Sequence, residues 1–184
     1  MKEKNKIIAL DSFIKKKIST DRIVLVGGAF DLFHLGHLKY LKEASKYGDK
    51  LVVALTVDKF IKKGVGRPYF NENQRAEMLS HLNMVDYIIF NYELSPVKII
   101  KSIKPGNYIK GPDYKDLKND ISKNIINEKK LVEKYGGIFR TTTGQTFSST
   151  TLLNKNSDIL KPEAKIYLSK IDKKLLKIKI NKKI

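Results

Sequence analysis

The chain has 184 residues, 37 Lys plus Arg against 19 Asp plus Glu, a formal net charge of +18, and no cysteine. The length supports one domain with a real hydrophobic core, the missing cysteines exclude disulfides and thiolate metal sites, and no run approaches the roughly 20 apolar residues that span a bilayer. The excess charge is nearly all lysine and scattered, so it reads as a solvated surface rather than a nucleic-acid stripe, although its field also attracts a charged small molecule such as a nucleotide.

The start, MKEKNKIIALDSFIKKK, holds no long apolar stretch of the kind a signal peptide needs, and a cytoplasmic protein is expected. Residues 11–18 can form a short helix capped by Asp11 or Ser12. RIVLVGG (22–28) is a continuous apolar run ending in glycines, the pattern of a buried parallel strand. LGHLKYLKEASKYG (35–48) reads as a helix with Leu35, Leu38, Leu41 and Ala44 on its apolar face and Gly48 as its stop. A second strand covers 50–58, and the basic, glycine-containing stretch 59–70 is a loop. Residues 71–82 begin at a cap-like Asn71 and continue as a helix.

The alternation goes on: a strand at 85–90, a helix at 95–103 with Pro96 at its first position, and a short strand at 107–111. A helix over 119–137 ends in glycine, a strand follows at 138–142, and 148–154 opens another helix. Five rounds of strand and helix mean an α/β domain, a Rossmann-like doubly wound parallel sheet of about five strands covered on both faces. The domain is expected to span 1–154. Residues 155–184 change character: Ala164, Tyr167, Leu168, Ile171, Leu175 and Ile178 recur at helical spacing in a lysine-rich, glycine-free segment, read as an appended basic amphipathic helix or linker.

Ligands on such sheets bind beyond the carboxyl ends of the strands. Here those ends hold the Gly27–His37 turn, the 58–67 loop, ELSP (93–96), KGPDY (110–114) and TTGQTFSST (142–150). Two of the three histidines, His34 and His37, fall at the first of them, with Gly36 between. A helix N-terminus offers unsatisfied N–H groups and a positive dipole end, so an anion is favoured there. Two imidazoles three residues apart can reach one group. Zinc would need a third protein ligand, and neither His81, in an expected helix, nor any cysteine supplies one. The Gly-x-x-x-x-Gly-Lys-Ser/Thr and Gly-x-Gly-x-x-Gly phosphate loops are both absent.

GGAFDLFHLGHLKYL, read with these exclusions, resembles the Phe-Asp-x-x-His-x-Gly-His signature of the cytidylyltransferase-like nucleotidyltransferases. KKGVGRPYFNENQRAEML, VDYIIF, IKPGNYIKGPDY and FSSTTLLN are similar to that family's later landmarks in order and spacing. Within the superfamily the resemblance is nearest to the ADP-heptose synthase type, and to the nucleotidyltransferase half of proteins that also carry a sugar kinase.

The resemblance implies roles. His34, His37 and Lys63 would be catalytic, with Lys62 as the alternative to Lys63. Gly28, Ala29, Phe30, Asp31, Gly36, Lys110, Gly111, Asp113, Ser148, Ser149 and Thr150 would line the nucleotide, Asp31 as a turn organiser rather than a base. Lys62, Arg67 and Arg75 would meet the substrate phosphate, though a structural salt bridge explains Arg75 equally. Arg67 precedes Pro68, which stiffens the loop. Gly106–Asn107 stands where relatives carry an acidic residue before the strand.

The implied reaction moves a nucleotidyl group from ATP, or CTP, to a sugar phosphate, with Mg²⁺ carried by the triphosphate. The partners implied are these two substrates and a second copy of the chain, with no nucleic acid and no membrane span. A glycerol-3-phosphate or polyol-phosphate cytidylyltransferase is the nearest alternative. A basic nucleic-acid-binding module is the alternative of another class, and a class I tRNA synthetase fragment is disfavoured because no Lys-Met-Ser-Lys-Ser loop is present.

Overall fold

A computed structural model describes residues 6–17, 22–61, 66–114 and 124–143. Lys62, Lys63, Ser148, Ser149, Thr150 and the helix expected over 155–184 lie outside the described residues. Five helices and five strands alternate: α1 (Leu10–Lys16), β1 (Ile23–Gly28), α2 (Leu35–Ala44), β2 (Lys50–Thr56), α3 (Glu72–Ser80), β3 (Tyr87–Asn91), α4 (Val97–Ile103), β4 (Asn107–Lys110), α5 (Ile125–Lys134) and β5 (Ile138–Thr141).

The strands form one parallel sheet in the order β3-β2-β1-β4-β5. Consecutive strands step outward from β1 to β3, and the chain then returns to pair β4 with β1, Val26 opposite Ile109. The order therefore reverses between β1 and β4, which opens a crevice beyond their carboxyl ends. On the β3 edge, Ile8 donates its N–H to Ile88 O and Ile88 N–H donates to Lys6 O, so the N-terminal segment occupies hydrogen-bonding groups of that edge.

The continuous apolar runs of β1 and β2 arise because both faces are buried. Val24, Val26, Leu51, Val53 and Leu55 point into a cluster with Tyr40, Leu41 and Ala44 of α2 and Ala76 and Leu79 of α3. Ile23, Leu25, Val52 and Ala54 point the other way, against Ile99, Ile100 and Ile103 of α4, Val132 of α5 and Phe13 of α1. Each fully buried Leu or Ile contributes about 1.5–3 kcal/mol relative to an exposed one.

Local signals differ from the sequence reading at three places. Helix α1 is preceded by Ala9, with no side-chain cap, rather than by Asp11 or Ser12; Asp11 sits in its first turn, where it still meets the positive end of the dipole. Leu35 is 53% exposed. Residues spaced by three drift about 60° around a helix per step, so Leu35 and Ala44 lie on opposite sides, and the buried face is Tyr40, Leu41 and Ala44. Pro96 is the N-cap of α4 rather than its first residue. Asn71 does cap α3: its side chain accepts from Gln74 N–H, and the Gln74 side chain accepts from Asn71 N–H.

Candidate functional site

The turn from β1 into α2 is made of left-handed backbone and histidine caps. Phe30 and Leu32 both have positive φ, 48° and 49°. Such non-glycine conformations cost about 1–3 kcal/mol each and persist only where surrounding contacts impose them. Asp31, between them, supplies those contacts. It has no exposed surface, and its carboxylate accepts from Arg67 Nε and from the N–H groups of Tyr69 and Phe70. Burial pushes the Asp31 carboxyl up, but the Arg67 guanidinium and the two amides outweigh it and hold the group below the usual carboxylate range. Its bonds make Asp31 the clamp that fastens residues 67–70 to the turn.

Arg75 is the second clamp. Its side chain has no exposed surface, Nε donates to Phe70 O, Nη1 to Ala29 O and Thr56 O, and Nη2 to Asp58 Oδ1 at 2.6 Å. All three nitrogens are thus committed to protein atoms. The expectation of a substrate-phosphate contact for Arg75 is corrected to its alternative, a structural ion pair that ties α3 to the ends of β1 and β2.

His34 is the N-cap of α2. Its Nδ1 accepts from Gly36 N–H at 3.1 Å and from His37 N–H at 3.4 Å, while His37 Nδ1 accepts from His34 N–H at 3.4 Å. The rings stack with centroids 3.9 Å apart, and Phe30 and Phe33 flank His37 at 5.4 and 5.5 Å. A nitrogen that accepts carries no proton, so in each neutral ring the N–H is on Nε2. Two ring N–H donors thereby stand side by side in one stack at a helix N-terminus. Arg67 belongs to the same turn: its side chain is 9% exposed, and its buried Nη2 has no hydrogen-bond partner among the described residues.

Gly28 and Ala29 also line a cavity of about 220 Å³ at the strand ends, with Gly27, Thr56, Asn91, Lys110, Tyr114 and Glu128 among its walls. Lys110 is almost fully buried, its Nζ 3.4 Å from Glu128 Oε2 and over the rings of Tyr108 and Tyr114. Gly111 follows, with open space where a Cβ would stand, and Asp113 is exposed in the turn after it. A larger cavity, about 580 Å³, lies along the β3 edge and is walled mainly by apolar residues of 7–10 and 89–93. It contains none of the histidines.

A family model described as Cytidylyltransferase-like matches residues 25–156, from the middle of β1 onward. The chain belongs to that family. Among its relatives is a protein named Bifunctional protein HldE from Aliarcobacter butzleri (strain RM4018), 42% identical over 124 residues, which are 66% of this chain and 26% of that protein. A protein of the same name from Campylobacter fetus is 36% identical over 152 residues, 82% of this chain and 31% of the relative. The chain thus spans about a quarter to a third of the length of these relatives. A crystal structure of a lipopolysaccharide core biosynthesis protein from Thermoplasma volcanium GSS1 has a TM-score of 0.56 and 29% identity, covering 68% of this chain and 99% of that one.

In this cytidylyltransferase-like domain, the structure brings His34, Gly36, His37, Phe30, Asp31 and Arg67 to one turn, and places Gly28, Ala29 and Lys110 on the adjoining cavity. Reading the sequence alone does not single out Glu128 or Asn91. Glu128 is 3% exposed and accepts from Ser95 Oγ at 2.6 Å and Tyr108 Oη at 2.7 Å. Burial and the Glu128 carboxylate together push the Tyr108 phenol well above its ordinary range, so it stays a donor. The available signal for Glu128 is its place between Ile125 and Val132 on the buried stripe of α5. Among the described residues, no helix is long and apolar enough to cross a membrane.

Proposed function

We propose that this domain transfers a nucleotidyl group from ATP to a sugar phosphate, releasing pyrophosphate and forming a nucleotide-diphosphate sugar. The observation that carries the reading is the pair of stacked, mutually capping imidazoles at the start of α2, just beyond β1 where the strand order reverses. A phosphate oxygen of the acceptor attacks the α-phosphorus, its new P–O bond forms, and the bond from that phosphorus to the bridging oxygen breaks to free pyrophosphate. Charge grows on the α-phosphoryl oxygens, and fixed N–H donors with a helix N-terminus stabilise it. The acceptor phosphate is already a nucleophile, so no base is required, in keeping with an Asp31 carboxylate engaged by Arg67, Tyr69 and Phe70.

Lys63, or Lys62, is assigned to phosphate at the reacting centre, Arg67 to a substrate phosphate through its unpartnered nitrogen, and Ser148, Ser149 and Thr150 to the triphosphate. Gly28, Ala29, Phe30, Gly36, Lys110, Gly111 and Asp113 complete the nucleotide side, with Lys110 at its border with the acceptor. Mg²⁺ enters with the triphosphate as part of the substrate; among the described residues no three ligating side chains gather around one point. The preference for ATP and a sugar 1-phosphate rests on the likeness to the ADP-heptose synthase type. The likeness to the lipopolysaccharide core biosynthesis protein of Thermoplasma volcanium supports a product used in surface polysaccharide. We further take the protein to act in the cytoplasm, as a homodimer and without nucleic acid.

Pyrophosphate release measured over a panel of triphosphates and acceptors tests this. ATP with a sugar 1-phosphate should give the highest kcat/KM. CTP with glycerol 3-phosphate as the best pair would favour the cytidylyltransferase alternative, and no release beside tight, salt-sensitive DNA or RNA binding would favour the nucleic-acid module.

A further inference from the structure

The cavity beside the histidine turn lies on the face of the sheet opposite α2. Ala54 of its wall belongs to the cluster packed under α4 and α5, and Glu128 comes from α5, whereas α2 packs on the other face. In a displacement at phosphorus the attacking and leaving oxygens stand roughly in line on opposite sides. A triphosphate held over the start of α2 therefore leaves this cavity for the acceptor. Its volume of about 220 Å³ leaves room for the carbon skeleton of one sugar.

Glu128 and Lys110 of the cavity wall form a closed polar set with Ser95 and Tyr108. Glu128 Oε1 accepts from Ser95 Oγ and Oε2 from Tyr108 Oη, with Lys110 Nζ 3.4 Å from Oε2. A carboxylate offers about four acceptor sites, so this one retains acceptor capacity toward the space it lines. Hydroxyl groups fit such a surface; a second phosphate is repelled by it. We infer that Glu128, held in place by Tyr108, Ser95 and Lys110, is a specificity-determining residue that reads the hydroxyls of the acceptor sugar and keeps its phosphate at the Gly28 end. This rests on the nucleotidyl-transfer reading above.

The test uses the full chain and pyrophosphate release, with KM determined separately for ATP, a sugar 1-phosphate and glycerol 3-phosphate. Glu128→Gln should raise KM for the sugar phosphate about tenfold or more, the cost of a lost charged hydrogen bond. KM for ATP and for the shorter glycerol 3-phosphate should stay within about twofold, a split that a general loosening of the fold would not produce. Gly27→Ala is the second variant. A Cβ there would stand 3.5 Å from Tyr108 Oη and 3.6 Å from Pro96 Cγ, ordinary contact distances, so the fold accepts it while the cavity narrows. It too should raise the sugar-phosphate KM selectively, and it keeps the test open if Glu128→Gln does not fold. An unmoved sugar-phosphate KM in folded variants, or an equal rise for all three substrates, overturns the inference alone. Failure of the wild type to release pyrophosphate with any pair overturns the reading beneath it.

Discussion

His34 and His37 each accept the other's backbone N–H through Nδ1, so that one pair of imidazoles starts α2 and, in each neutral ring, carries its N–H on Nε2. The bonds at 3.4 Å are long, and the Gly36 N–H at 3.1 Å is the firmer one. The cap is a role that another residue can fill; donation to phosphate from that point is not. Asparagine is a strong N-cap. His34→Asn should therefore leave stability within about 1 kcal/mol of wild type, while turnover falls by roughly 10² to 10³. Thermal unfolding and pyrophosphate release on the same preparation separate the two. A drop in stability alone would mean that the cap is the whole role of His34.

Arg75 should matter to folding far more than its position in a polar helix suggests. Arg75→Met leaves Asp58 and three carbonyl oxygens without their donor, at a cost of about 3 kcal/mol or more. Denaturant titration measures it. The comparison is Arg22→Ala, which removes an exposed ion pair with Asp49 and should barely move the midpoint. Equal effects would contradict the clamp.

Asp31 makes a prediction about acid. Its folded-state pKa is depressed, so its stabilisation is fully present above the unfolded value of about 3.9 and is lost as pH falls through the lower folded value. The stability gap between wild type and Asp31→Asn should be flat from about pH 8 to pH 5 and close below about pH 4. A gap that widens toward acid would show that Asp31 is not held as a carboxylate.

The fold is readable because its signals are periodic or chemically costly. Unbroken apolar runs such as RIVLV name a strand buried on two faces, and the Asn71–Gln74 pair is a complete capping box. The histidine turn is readable because two rare side chains fall where strand becomes helix. What escapes depends on contacts between distant parts of the chain. Arg75 looks like any arginine until Ala29, Thr56 and Asp58 surround it. Glu128 sits in a lysine- and glutamate-rich helix whose other charges are partly or fully exposed; its partners Ser95, Tyr108 and Lys110 come from the loop before α4 and from β4. Leu35 misleads because a step of three imitates helical spacing for one turn and then leaves the face.

The central claim is that the His37 ring stabilises charge on a transferred phosphoryl group. The most direct measurement is kcat for pyrophosphate release by His37→Ala, with ATP and a sugar 1-phosphate saturating and folding checked by circular dichroism and unfolding midpoint. A decrease of roughly 10² to 10³ with the fold intact is the predicted result. Wild-type turnover in the folded variant would contradict it.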